Sequence, residues 1–154
     1  MIRIRETLLP EQVLLKMTVQ SRPEAIQKLL ESLRSDTRIS DGPEFLRALA
    51  KSEAAGKANL QDLVSLTHVR TSSVTKMLMA FGRLVDPLEE KNRAMQFVVL
   101  VGIPRAMDAE YLRLVGNLMR VFRHQKLREK LLEADHPAQI IQIFETGETA
   151  IESA

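Results

Sequence analysis

The stretches MLMAFGRL (77–84) and FVVLVGI (97–103) decide the fold class. Both are short, nearly uncharged and bounded by turn-forming residues. That length and branched-aliphatic content fits strands buried on both faces better than helices, which need a longer periodic pattern. Pro87 and Pro104 are expected to close these strands, because proline has no amide to give to a ladder. Strands buried on both faces require covering layers above and below.

The flanking sequence supplies those layers. Ser21-Arg22-Pro23-Glu24 reads as a helix start, with Ser21 capping free amides, Glu24 reaching back and Pro23 in the first turn. Ile26, Leu29, Leu30 and Leu33 follow at helical spacing. Asp41-Gly42-Pro43-Glu44 starts a second helix that buries Phe45, Leu46 and Leu49. Val13–Met17 reads as a short strand, and Leu63–Val69 as a strand ending near His68. Asp108 is the expected cap of a helix whose stripe is Tyr111, Leu114, Val115, Leu118 and Phe122. Leu127, Leu131 and Leu132 mark a further helix. After a stop at Asp135-His136-Pro137, Ile140, Ile141 and Phe144 mark the last one. Residues 146–154 are expected to fray. The expected fold is α/β: one domain over 1–154, three layers, a mixed β-sheet flanked by helices.

Composition narrows the chemistry. The 154 residues contain no cysteine, which excludes disulfides, thiolate catalysis and cysteine metal sites. No apolar run approaches the ~18–20 residues of a membrane span, and MIRIRETLLPEQ at the start is too short and charged for a secretory signal. A cytosolic protein without membrane insertion is expected. The net charge of +2 is a small surplus of 22 basic over 20 acidic groups. The densest basic run is Arg113, Arg120, Arg123, Lys126, Arg128 and Lys130, read as a solvated helix face. Aromatics at 4% with no tryptophan give no base-stacking platform, so nucleic acid is not an expected partner.

Most polar side chains have simple structural readings. Asp41, Glu44, Asp108 and Glu110 fit helix-start roles. His124 is expected to meet the terminal carbonyls of the preceding helix, and His136 to mark a boundary. No spacing of histidines and carboxylates suggests a metal site. Ser72-Ser73 lacks the flanking glycines of a nucleophile elbow. Met77, Met79, Met95 and Met119 fit core filling.

The stretch FLRALAKSEAAGKANLQDLVSLTHVRT (45–71) resembles one family specifically. Enzyme IIA domains of the phosphotransferase system (fructose, mannitol and nitrogen-regulatory type) carry a helix ending in an Arg-Glu pair. A glycine, a glycine-rich loop and an Ile-Pro-His segment follow. Glu53, Gly56 and His68 fall at the matching positions, and Val69-Arg70-Thr71 continues the match. FGRLVDPLEE (81–90), FVVLVGIP (97–104), YLRLVGNLMRVF (111–122) and KLREKLLEADHPAQIIQIF (126–144) follow in family order. The likeness covers about residues 9–145.

The resemblance implies that His68 accepts a phosphoryl group from a histidine-containing phosphocarrier protein. Imidazole suits this role because its neutral nitrogen is nucleophilic and also leaves readily. No metal or organic cofactor is implied. The chain departs from the family pattern at four places. Ser52 stands for the arginine of the Arg-Glu pair, and Tyr111 for a second histidine. Thr67 stands for the proline before His68, and Lys57–Leu63 for the glycine-rich loop, where side chains crowd a backbone that cradles phosphate. Arg70, Lys57 and Lys51 are the available replacement cations, and Tyr111 and Thr67 the available donors. Catalytic candidates are therefore His68, Arg70, Tyr111 and Ser52. The expected function is a phosphoryl carrier of the regulatory, nitrogen type, motivated by a chain without permease modules. The alternative is a binding module that regulates a transporter or sensor kinase by contact alone.

Overall fold

The computed structural model describes residues 3–55, 59–61 and 63–153. Five strands form one mixed sheet in the order β1-β4-β5-β3-β2. They are β1 (Leu8–Met17), β2 (Asn59–Gln61), β3 (Val64–Arg70), β4 (Leu78–Glu90) and β5 (Arg93–Ile103). β4 and β5 are antiparallel, while β1 joins β4 and β3 joins β5 in parallel. The helices are α1 (Ile4–Thr7), α2 (Arg22–Ser32), α3 (Gly42–Ala54), α4 (Asp108–Arg123), α5 (Gln125–Glu133) and α6 (Pro137–Ser153).

The strand alternation of two makes both faces of the sheet apolar. Met79, Phe81, Phe97, Val99 and Val101 face one way and pack with Leu118, Phe122, Leu131, Ile140 and Phe144. Leu78, Ala80, Val98 and Leu100 face the other way and pack with Ile26, Leu29, Phe45 and Leu49. This is the three-layer architecture expected from 77–84 and 97–103. On the first face Phe81, Phe97, Phe122 and Phe144 form an aromatic chain with ring centroids 5.3–5.8 Å apart. All four methionines named above are buried. Among the described residues no helix is long and apolar enough to cross a membrane.

Five local expectations are corrected. Leu46, on the outer side of α3, is 52% exposed rather than buried with Phe45 and Leu49. Pro87 does not close its strand: β4 continues through it to Glu90. The β4–β5 register breaks between Arg83 and Leu88, and pairing with β1 has ended at Leu84, so no ladder amide is needed at Pro87. The Gln96 amide donates to the Leu84 carbonyl at 2.6 Å inside this irregularity. Asp108 is not the cap of α4. Met107 holds that position, and Asp108 is the first helical residue. The His124 side chain does not serve the carbonyls behind it; its Nδ1 accepts the Leu127 amide at 3.4 Å and caps α5. The segment from 146 is helical through Ser153 rather than frayed. A β-carbon on Gly147 would lie 2.6 Å from Val121 Cγ2, and the Glu148 carboxylate accepts the Ile4 amide at 2.9 Å. The β4–β5 connection turns at Lys91 and Asn92, with φ of 51° and 63°.

A buried ion pair closes the end of the sheet where β1 and β4 begin. Arg38 donates to Asp36 at 2.6 and 2.9 Å, to Gln12 Oε1 at 3.0 Å, and to the carbonyls of Thr7, Glu6 and Met77. Burial alone would raise the Asp36 carboxyl; hydrogen bonds from the Arg38 side chain and main chain and from Gln12 outweigh it and hold the carboxyl below its usual value. A depressed carboxyl contributes stability above its unfolded value and loses it as pH falls through the folded one. The stability gap between the parent and Asp36→Asn should therefore be full at neutral pH and shrink below about pH 4. Thermal melts from pH 7 to 3 check this, and a constant gap would contradict it.

Candidate functional site

The site forms where β3 ends against α3 and α4. On β3, Ser65, Thr67 and Val69 point toward α2 and α3, and His68 and Arg70 toward α4. His68 and Arg70 are two apart on a strand, and Tyr111 and Asp108 three apart on a helix, so the two pairs meet side by side. The His68 and Tyr111 rings lie 4.9 Å apart, centroid to centroid, at 39°. Arg70 Nε lies 3.0 Å from Asp108 Oδ1, both side chains about half exposed. Burial pushes the Tyr111 phenol up to about 12, with the Arg70 charge pulling weakly the other way. The phenol thus keeps its proton at neutral pH.

Ser52 occupies the last turn of α3, but its hydroxyl faces the main chain. Its Oγ donates to the His68 carbonyl at 3.1 Å. It therefore holds the strand bearing the imidazole rather than offering a group to anything bound on the ring. Glu53, next in sequence, is engaged behind the strand. It accepts two hydrogen bonds from Arg22, at 2.7 and 3.1 Å, and one from Thr67 at 3.2 Å. Arg22 also donates to Thr67 Oγ1 and, at 2.8 Å, to Ser65 Oγ. Thr67, expected from sequence as a donor toward the site, is thus committed to the opposite face.

The Arg22 network was not legible as such, because Ser21, Pro23 and Glu24 explained that stretch as a helix start. One signal was present. An arginine in the first turn opposes the helix macrodipole, so its position needs a carboxylate partner elsewhere. Here that partner is Glu53.

In front of the strand, Lys51, Ser52, His68, Arg70 and Arg105 line an open groove of about 550 Å³, with Arg47 and Glu44 farther along α3. Arg47 and Arg105 were not singled out from sequence. Gly56 and Lys57 lie outside the described residues. His136 sits at the α6 boundary, where its amide bonds Gln139, and His124 serves α5; neither joins His68. Among the described residues no group of three or more histidines and carboxylates could hold a metal ion.

The sequence profile of the family described as "Phosphoenolpyruvate-dependent sugar phosphotransferase system, EIIA 2" matches residues 6–147. The chain belongs to this enzyme IIA family. It is 30% identical over 116 residues to a PTS system fructose-specific EIIA component of Haloferax volcanii, covering 72% of this chain and 74% of that protein. It is 25% identical over 141 residues to a nitrogen regulatory protein of Bradyrhizobium diazoefficiens, covering 90% and 91%. The fold is similar to that of nitrogen regulatory protein IIA-Ntr from Neisseria meningitidis: TM-score 0.79 at 20% identity, covering 92% of this chain and 98% of that one. Within the enzyme IIA fold, His68 stands at the end of a parallel strand. Crevices at such strand ends are where open α/β sheets bind ligands.

Proposed function

We propose that this enzyme IIA protein carries a phosphoryl group on His68, taken from a histidine-containing phosphocarrier protein, and acts in regulation rather than in uptake of one sugar. The observation that supports the reading is the His68 imidazole packed near the Tyr111 ring, with Arg70 two residues on along β3 and lining the same cationic groove. An unprotonated ring nitrogen of His68 attacks the phosphorus of the donor phosphohistidine. A nitrogen–phosphorus bond forms as the donor's own breaks, and the donor imidazole leaves with its electron pair and takes up a proton. Arg70 and the Tyr111 hydroxyl are the groups in place to meet the charge on the phosphoryl oxygens. Arg70 must leave Asp108 to do so, which costs little for an exposed pair. The regulatory role is supported by the likeness, over nine-tenths of both chains, to a protein named for nitrogen regulation. The expected compartment is the cytosol.

A second reading is favoured by Ser52. Its hydroxyl is held by the main chain, and it stands where the resemblance implies an arginine. The domain would then act by contact alone on a transporter or kinase. Incubation with enzyme I, phosphocarrier protein and phosphoenolpyruvate separates the two. An acid-labile, base-stable adduct of one phosphoryl group, read by intact mass and absent from His68→Ala, is expected. No adduct on the parent at long times would hand the case to the contact reading.

A further inference from the structure

The cations of the groove extend beyond His68. Ser52 is the residue of α3 that touches the His68 main chain. Lys51 lies beside it, and Arg47 lies more than a turn earlier, about 7.5 Å back along the helix axis. Arg105, just past the end of β5, and Arg70, at the end of β3, line the same groove. Four cations, from α3, the end of β3 and the segment past β5, therefore line one concavity whose lining holds a single carboxylate, Glu44, while Arg70 is paired with Asp108. Among the described residues neither Lys51 nor Arg105 has an ion-pair partner. Arg47 has only the exposed contact to Glu44 at 2.9 Å, which a stronger anion displaces easily. In a chain with nearly equal numbers of acidic and basic groups, this imbalance is local. A phosphoryl group on His68 occupies one end of the groove and leaves Arg47 and much of about 550 Å³ unused. That size lies within the range of small-molecule sites.

We infer that the groove between α3 and the ends of β3 and β5 binds a small phosphorylated organic anion. Lys51 and Arg105 hold its phosphate, and Arg47 holds a second anionic group. The inference deepens the phosphoryl-carrier reading by giving the His68 site a small-molecule regulator. A ligand there covers the approach to His68, so its binding and the docking of a phosphocarrier protein exclude each other.

The test uses inorganic pyrophosphate as the probe on the His68→Ala chain, which takes up no phosphoryl group, so the result is independent of phosphotransfer. Saturable backbone amide shifts are expected at Ala48, Lys51, Arg70 and Arg105. They should weaken about ten-fold for each of Lys51→Gln and Arg105→Gln, because each charge-assisted contact is worth about one order of magnitude. Changing Arg120 and Lys126, on the basic α4–α5 face, to Gln should leave the titration unchanged. Shifts that never saturate, that persist in the Lys51→Gln/Arg105→Gln double variant, or that follow Arg120 and Lys126 would each overturn the inference. In a separate arm with the parent chain, saturating pyrophosphate should slow His68 phosphorylation. An unaffected rate despite groove binding would overturn the regulatory half, whereas an absent adduct without pyrophosphate would overturn the carrier reading instead.

Discussion

The Ser52→Arg protein is expected to accept phosphate on His68 up to about 100-fold faster than the parent. Removing one preorganised charge contact from a transition state commonly costs about 2.7–4 kcal/mol, or ~100–1000-fold in rate, and restoring one should recover part of that. Position 52 suits the change, because it lies at the groove beside His68. A guanidinium there can meet two phosphoryl oxygens at once, which the present hydroxyl cannot. The substitution also removes the hydrogen bond to the His68 carbonyl, at a cost of about 1 kcal/mol, small against the gain. The effect should be largest when Tyr111→His is added, and nothing should be taken up in any His68→Ala background. Rapid-quench kinetics with phosphorylated carrier protein measure this. An unchanged rate in both variants would show that a guanidinium at position 52 does not limit transfer.

The Phe122→Ala protein is expected to lose about 3–5 kcal/mol of stability. Phe122 is fully buried and sits between Phe97 of β5, 5.3 Å away by ring centroid, and Phe144 of α6, 5.8 Å away. Truncation leaves a cavity between helices and sheet that rigid neighbours fill poorly. A domain of this size has only about 5–15 kcal/mol in total, so the loss is a large share. Urea unfolding should show a lower midpoint with an unchanged slope. A shift below about 1 kcal/mol would mean that Phe97 and Phe144 close over the gap.

The order and kind of the large elements were legible because each follows from one short-range rule. Nearly uncharged apolar runs gave β4 and β5, and helical stripes after a cap or a stop signal gave α2, α3 and α6. The misses came from interactions that no local rule contains. Pro87 could stay in a strand only because the register breaks opposite Gln96 and β1 stops short of it. Asp108 yielded its expected capping place to Met107 and bonds instead to Arg70, thirty-eight positions earlier in the chain (108 − 70). At the site, His68, Arg70, Tyr111 and Ser52 could be named from sequence, but not what each one touches. The direction of the Ser52 hydroxyl and the Arg22–Glu53 pair depend on how α2 and α3 lie across β3. The charge of the groove likewise arises only when Lys51 and Arg105 are brought together.

The β4–β5 hairpin also sets the order of events in time. Its partners are close in the chain, so it can form within microseconds, while β3 and β1 must close long loops to pair in parallel. Its tip, Lys91-Asn92, holds two side-chain-bearing residues at positive φ, a shape that glycine adopts more readily. β3 can dock only once Phe97–Ile103 is in place to receive Val64–Arg70. His68 thus reaches its place only after β5 has formed, and a chain with β3 undocked has no groove to show a partner.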